Sequence, residues 1–281
     1  MSKDYQTIVP IKEKERLGLD FVYTFKTFPE PFFRQETGTT PQVDVLFVTA
    51  HSEQEEETVF RKRKLLEEKP GNPSDYEYVP LLAVNLASTF LEKTGQRPPI
   101  IFDNMRMRID IELDMEREVP NHNLITIGAG NANSFTRRVF EDLQQRLGTL
   151  ERVPVHFGYP AGHDMIVSTI SGGRWHSNDD AALILMIPNI YSRSARLDKR
   201  PDRVIIIVAG TEIEGTIAGI LALCKQIDRR NRHLQDNNLS DRSKEIPARI
   251  VRAVTNTISL QETPPRLSGS YRQVVDFEFL E

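Results

Sequence analysis

Two turns, each following a short apolar run, carry the residues whose types and spacing best suit ligand chemistry. The first is GAGNANS, residues 128–134, which separates the apolar run 124–127 from a helical pattern. Free backbone N–H groups at a helix N-terminus bind anions, and glycines let the backbone approach a ligand closely. We therefore expect this turn to bind a small anionic, nucleotide-like ligand, such as a nucleotide or a phosphosugar. The expected cradle consists of Gly128, Gly130, Asn131, Asn133 and Ser134.

Two arginines lie where the helix after this turn would favour acids. Arg137 and Arg138 fall in the first helical turn, and cations there oppose the helix dipole. A negative group is therefore expected nearby. It is either the ligand or carboxylates from elsewhere in the fold, and in the second case the turn is only structural. A standard NAD site is not predicted, because Asn133 replaces the third glycine of G-x-G-x-x-G and no acid follows at the required distance.

The second turn is VAGTEIEGT, residues 208–216. Thr211 and Glu214 have the spacing of a capping box, and Glu212 adds another acid to the first helical turn. These acids favour structural capping. As the alternative, Glu212 or Glu214 contacts a sugar hydroxyl or acts as the general base of a hydrolytic or glycosidic reaction. His51 ends an earlier apolar run, where crevice residues fall in α/β folds, and is a further candidate ligand contact.

Histidines and aspartates also occur together in two loops, GYPAGHD and GGRWHSNDD. These residue types suit a metal site or an acid/base pair, but their spacing matches no known motif, so ordinary polar turns are favoured. The sequence also lacks the P-loop, the G-x-S-x-G pattern and Cys/His zinc spacing. No metal ligand is predicted, and the identity of any cofactor is left open.

Alternating strands and helices must position these turns. The runs VDVLFVTAH, NLITIG and RVIIIVAG predict strands, and helical patterns follow each of them. MIVSTI and AALILMIPN are expected to pair as an antiparallel hairpin, and RMRIDIEL is expected to form an exposed strand or hairpin. The pattern predicts an α/β fold, a Rossmann-like three-layer sandwich whose mostly parallel sheet has antiparallel edge additions.

Three stretches, ITIGAGNANS, ALILMIPN and VIIIVAGTEIEGTIAGI, occur in this order within residues 123–228. Together they resemble the Rossmann-like module of archaeal surface-layer proteins and of some uncharacterised prokaryotic proteins. The resemblance implies a Rossmann-like fold, and it transfers no catalytic residues. Surface-layer proteins carry export signals, and no such signal is evident here, so their role is not carried over.

The first forty-one residues form an aromatic-rich arm, and residues 42–281 are predicted to form one α/β domain. The aromatic side chains of the arm are Phe21, Tyr23, Phe25, Phe28, Phe32 and Phe33. One interpretation is that they cover an open face of the core. The other is that residues 21–33 dock a protein partner or a second subunit, because large rigid aromatics anchor interfaces.

Composition excludes several classes of function. The net charge is −4 and the pI is about 5.9, so no global field favours nucleic acid. No apolar run approaches the length of a membrane span, and one cysteine without a secretory signal suggests a cytoplasmic protein. The sequence thus predicts ligand binding for sensing or for a hydrolytic or glycosidic reaction. The alternative is a non-enzymatic interaction or scaffold protein that uses its aromatic arm.

Overall fold

The computed structural model describes residues 32–34, 42–50, 79–95, 105–192, 203–233, 248–260 and 269–280. The helix expected after His51 and most of the aromatic arm lie outside these residues. Within them, three α-helices occur: α1 (Val79–Thr94), α2 (Ser134–Leu147) and α3 (Ile213–His233).

The strands are numbered β1 to β12 in chain order. They are β1 (Phe33–Arg34), β2 (Gln42–Val43), β3 (Val45–Thr49), β4 (Met105–Ile109), β5 (Leu124–Ile127), β6 (Val155–Phe157), β7 (Met165–Ser168), β8 (Arg174–His176), β9 (Ala181–Pro188), β10 (Val204–Gly210), β11 (Ala248–Leu260) and β12 (Gly269–Phe279). Short 3₁₀ turns occupy Asp110–Glu112, Val119–Asn121, Leu150–Arg152 and Ser177–Asp179.

The main sheet has seven strands in the order β12-β11-β9-β10-β5-β3-β4. The pairs β10/β5, β5/β3 and β3/β4 are parallel. The pairs β9/β10, β9/β11 and β11/β12 are antiparallel. The predicted Rossmann-like three-layer sandwich with a mostly parallel sheet is therefore wrong, because antiparallel pairing is as frequent as parallel pairing and reaches the middle of the sheet.

Strand β9 explains this error. Its sequence AALILMIP is apolar throughout, and every residue is buried. Side chains of Ala182, Ile184 and Met186 enter one core, while those of Leu183, Leu185 and Ile187 enter the other. A continuous apolar run therefore reports burial on both faces, which parallel strands usually have. It does not report the direction of the strand.

A second sheet of three antiparallel strands, in the order β6-β7-β8, packs near the main sheet. Strand β7 pairs with β6 and β8, so the predicted hairpin between MIVSTI and AALILMIPN is wrong. Strand β4 is a parallel edge strand beside β3, where an exposed strand or hairpin was predicted. The late strands β11 and β12 are present and pair with each other, as expected.

The two faces of the main sheet bury different partners. On the first face, α1 and α3 pack over the sheet and over each other. On the second face, α2 and the strands β6 and β7 enclose a separate core. Helix α2 ends at Gly148, whose left-handed φ of 78° confirms the predicted C-terminus. Within the described parts of the chain, no helix combines the length and apolar character needed to cross a membrane.

Candidate functional site

The candidate residues lie at the carboxyl ends of the parallel strands β3, β4, β5 and β10, which share one edge of the sheet. Strand β3 precedes α1, which lies on the first face. Its neighbour β5 leads to α2, which lies on the second face. Ligands of open α/β sheets bind in the crevice where neighbouring strands diverge in this way. The space between the ends of β3 and β5 is therefore where a ligand would be expected.

The side chain of Asn133 occupies this crevice and is fully buried. Its Nδ2 donates to the carbonyl oxygens of Ile127, at 2.9 Å, and Val48, at 3.2 Å. Its Oδ1 accepts a hydrogen bond from the backbone N–H of Thr136 at 3.0 Å. Asn133 is therefore the N-cap of α2. One amide thus joins the ends of β3 and β5 and caps the helix.

An acid from a different strand occupies the N-terminus of α2. Asp110 directly follows β4 and is 6% exposed. Its Oδ2 accepts a hydrogen bond from the backbone N–H of Ser134 at 2.6 Å. A carboxylate at this position satisfies a free N–H group and favours the helix dipole. The protein therefore supplies its own anion at the position predicted for a ligand's negative charge.

The two arginines approach acids one turn further along the same helix. The Nε atom of Arg137 lies 3.8 Å from Glu141 Oε1, and that of Arg138 lies 4.0 Å from Asp142 Oδ2. Both distances exceed a hydrogen bond, and such pairs are weak at a surface. Asp142 also accepts a 2.7 Å hydrogen bond from the hydroxyl of Tyr191. Burial, followed by this bond, raises the pKa of Tyr191 far above its ordinary value.

Backbone conformation and packing within the protein explain why glycines occur in GAGNANS. Gly128 has a φ of 105°, which L side chains rarely adopt. A Cβ atom at Gly130 would overlap the carbonyl oxygen of Pro160. Pro160 belongs to the loop between β6 and β7, so the turn is packed beneath the small sheet. Asn131 and Ser134, by contrast, are half-buried.

Hydrogen bonds within the protein also hold the second candidate turn, residues 208–216. The hydroxyl of Thr211 donates to the carbonyl oxygen of Ala181 at 3.2 Å. The hydroxyl of Thr216 accepts from the N–H of Gly210 at 3.0 Å. Glu214 is half-buried and Glu212 is exposed. The structure therefore places both glutamates at the carboxyl edge, at the start of α3.

The remaining candidates add no metal centre. His51 lies outside the described residues. In the loop GGRWHSNDD before β9, Asp179 Oδ2 accepts from the N–H of His176 at 2.7 Å and so closes a turn. Among the side chains that the structure describes, no group of three His, Cys, Asp or Glu is close enough to hold a metal ion.

The opposite edge of the sheet carries a polar cluster that joins the starts of β3, β5 and β10. Asp44 Oδ1 lies 2.8 Å from His122 Nδ1, and its Oδ2 lies 3.5 Å from Arg203 Nε. Asn123 is fully buried. Its Oδ1 accepts from the N–H of Val204 at 2.9 Å, and its Nδ2 donates to the carbonyl oxygen of Asp44 at 3.1 Å. These contacts link three strands, which is a structural role.

An exposed apolar surface, which the sequence analysis did not identify, lies on α1. It consists of Leu81, Val84, Ser88 and Leu91, hereafter the α1 stripe. Val84 is 65% exposed, and Leu81 and Leu91 are each 40% exposed. The spacing of three, four and three residues places all four on one side of the helix. Residues 79–91 contain no charged side chain.

The outer side of α2 provides a comparison within the same molecule. Its exposed residues are Arg138, Glu141, Gln144 and Gln145, the polar set usual for a surface helix. A helix with large apolar residues on its outer side as well as on its buried side is normally covered on both sides. The α1 stripe therefore has the character of a surface that another segment covers.

The last aromatics of the N-terminal arm lie beside this helix. Phe32 is fully buried in the first core, together with residues of α1. Phe33 meets Phe90 of α1 edge to face, with ring centroids 5.4 Å apart. The end of the arm is therefore attached to the buried side of α1.

Comparison of the chain with protein-family models, with curated proteins and with solved structures finds no match. The resemblance to the surface-layer module therefore stays a prediction. Any assignment of function depends on the two surfaces described above, the carboxyl edge of the sheet and the α1 stripe.

Proposed function

We propose that this protein is a non-enzymatic interaction protein that binds an apolar, aromatic-containing protein segment on the α1 stripe. The observation that carries this proposal is the exposure of Leu81, Val84 and Leu91 on a helix without a charged residue in positions 79–91. Exposed contiguous apolar surface marks interaction sites on soluble proteins. Helical residues at this spacing form the ridge against which an apolar segment packs.

The expected ligand site at the carboxyl edge of the sheet is already filled by groups of the protein, and this favours the α1 stripe as the binding surface. Asn133 fills the crevice between β3 and β5 with hydrogen bonds to both strands. Asp110 binds the N–H of Ser134, where a ligand phosphate would bind. An entering anion would have to displace a carboxylate that already satisfies the helix. The binding of a small anionic ligand at this edge is therefore less favoured than the docking of a protein segment on α1.

The test is quantitative affinity enrichment with three forms of the full chain: wild type, Val84→Asp and Ile170→Asp. Ile170 is 42% exposed and lies between β7 and β8, so it is a matched apolar surface residue far from α1 in sequence. The proposal predicts proteins that bind the wild type and Ile170→Asp but do not bind Val84→Asp. Each such protein must then bind the purified wild type directly. If no protein distinguishes the two variants, the proposal fails.

A small anionic ligand at the start of α2 is the second candidate function. The observation in its favour is that the ion pair of Arg138 along its own helix, at 4.0 Å, is longer than a hydrogen bond. A phosphate of a nucleotide or phosphosugar could recruit both guanidinium groups. Glu212 and Glu214 would then be the candidate acids for a hydrolytic or glycosidic reaction. Its test is the anion titration described in the Discussion.

A further inference from the structure

We propose that, in the free protein, the α1 stripe is occupied by residues 21–28 of the same chain. This inference rests on the proposed function, since it names a resident occupant for the same surface. A partner segment would then have to displace the arm before it could bind. The aromatic arm would act as an intramolecular competitor.

The attachment point of the arm supports this assignment. Phe32 is fully buried, and its carbonyl oxygen accepts a hydrogen bond from the N–H of Asp44 at 2.9 Å. Phe33 contacts Phe90 of α1. The chain that leads back from Phe32 therefore starts beside α1. Residues 26–31, which separate Phe25 from Phe32, span about 20 Å when extended. This exceeds half the circumference of a helix with its side chains, roughly 17 Å, so the arm can pass from the buried side of α1 to the stripe.

The sequence of the arm matches the length of the stripe. Phe21, Tyr23 and Phe25 alternate with other residues, so an extended chain would place all three on one side, about 13 Å from first to last. From Leu81 to Leu91 the helix rises about 15 Å. Pro29 and Pro31 favour an extended backbone at the residues before them. An extended arm can thus present several aromatics to the whole stripe.

Covalent linkage favours the chain's own arm over an occupant from another molecule. A segment joined by a short linker has an effective concentration in the millimolar range. The arm of a second copy, or a separate protein, would compete at its actual concentration. These two occupants are outcomes that the experiment must separate from the proposed one.

The experiment measures how fast a cysteine in the stripe reacts with a maleimide. Cys224 is the only native cysteine and is buried, so Cys224→Ala provides the background. Val84→Cys is then compared in full-length chains with the native arm and with Phe21, Tyr23, Phe25 and Phe28 all changed to Ser. We expect the reaction to be about tenfold or more faster with the changed arm. Ile170→Cys, the control position, should react equally in both chains.

A labelled peptide of residues 19–35 provides a second measurement. It should bind the chain with the changed arm, bind the native chain much more weakly, and lose binding when Val84→Asp is added. Equal maleimide rates at Val84→Cys with both arms would overturn the proposal. Protection that increases with protein concentration would also overturn it, in favour of the arm of a second copy.

The two proposals fail separately. If the arm does not protect position 84 but Val84-dependent partners are found, the interaction function holds and the resident occupant is wrong. If the arm protects the stripe and no partner depends on Val84, the stripe is only part of the folded core. Loss of both results leaves the α1 stripe with neither a resident segment nor a partner.

Discussion

Asn133 makes three hydrogen bonds with one side chain, and each bond serves a different part of the backbone. Asn133→Ala would leave two strand carbonyls and one helix N–H without these partners in a buried place. We expect a loss of about 3 kcal/mol in the free energy of unfolding, measured by urea denaturation. The half-buried Asn131 offers the control, since Asn131→Ala should cost far less. Equal losses for the two variants would contradict the central role of Asn133.

Asp110 tests whether the start of α2 binds anions. In the wild type its carboxylate holds the N–H of Ser134, so phosphate and nucleotides should leave the melting temperature unchanged. In Asp110→Ala that N–H is released, and phosphate should raise the melting temperature because it binds only the folded state. The measurement is a thermal-shift titration of both proteins.

The same titration decides between the two candidate functions. A rise in the melting temperature of the wild type that disappears in Arg137→Ala/Arg138→Ala would favour the small anionic ligand. A rise only in Asp110→Ala would show that the carboxylate takes the place of an anion. The absence of any rise in Asp110→Ala would contradict the role assigned to this residue.

His156 gives the stability of the protein a predictable dependence on pH. It is 4% exposed, its Nδ1 donates to the carbonyl oxygen of Phe157 at 2.5 Å, and burial lowers its pKa below the ordinary value. Below about pH 6.5 the unfolded chain therefore binds a proton that the native state resists. The contribution of the neutral, buried His156 to the free energy of unfolding is fully present above that pH and is lost on acidification.

His156→Gln removes the titrating group while it keeps a hydrogen-bonding side chain. We expect the free energy of unfolding to fall less steeply with acidification in this variant than in the wild type, in denaturant titrations from neutral to mildly acid pH. Identical slopes for wild type and His156→Gln would contradict the effect of burial.

At this scale the sequence predicted that a turn at GAGNANS leads into a helix, but it did not predict the contact of this turn with Asp110. The expectation of a negative group near Arg137 and Arg138 came from the helix dipole, and Asp110 is a carboxylate at that helix N-terminus. Asp110 follows RMRI, whose alternation of apolar and charged residues suggested an exposed strand or hairpin. The parallel pairing of β4 with β3 brings Asp110 to the carboxyl edge. These two strands are far apart in the chain, so their pairing cannot be predicted from the residues near Asp110.

Among the elements, the contact between the GAGNANS turn and the small sheet depends on Gly130. A Cβ atom there would overlap the carbonyl oxygen of Pro160, which is backbone and cannot rotate away. We expect Gly130→Ala to cost about 2–3 kcal/mol in the free energy of unfolding. Gly148→Ala is the control, since its left-handed φ costs about 1–2 kcal/mol and nothing lies within 4 Å of its Cβ position.

Two results would contradict the contact between the GAGNANS turn and the loop after β6. If Gly130→Ala is no more destabilising than Gly148→Ala in the same urea experiment, the loop after β6 does not pack on the turn in solution. A gain in nucleotide binding in Gly130→Ala would also contradict the packing.

Helices were easier to predict than strand directions. Helices α1 and α2 end close to the glycines that follow them, because a left-handed residue stops a helix locally. The existence of β9 and β10 was also predictable from their apolar runs. Their mutual direction was not, since residues on both faces of β9 are buried whichever way the strand runs.

For the whole molecule, protection against hydrogen exchange should follow the two cores. Every residue of β9 and β10 is buried, and their amides should exchange only in global unfolding. The N–H of Ala253 still donates to the carbonyl oxygen of Asp180, just before β9, at 3.1 Å. Beyond it, residues 254–260 pair only with β12. Their amides should exchange much faster in a mass-spectrometric time course. Uniform protection of the full hairpin would show that another chain or segment covers it.

That hairpin also determines how the molecule would respond to mechanical force. A load applied through Leu280 first reaches the hydrogen bond from its N–H to the carbonyl oxygen of Ile250, at 2.8 Å. It then opens β12 from β11 one residue pair after another, beginning with Phe279–Val251. The bonds between β9 and β10, from Val204–Pro188 to Gly210–Ala182, are not broken when β12 is detached. The protein would therefore unzip from its C-terminal edge at low force, while its two buried strands would remain folded as one unit.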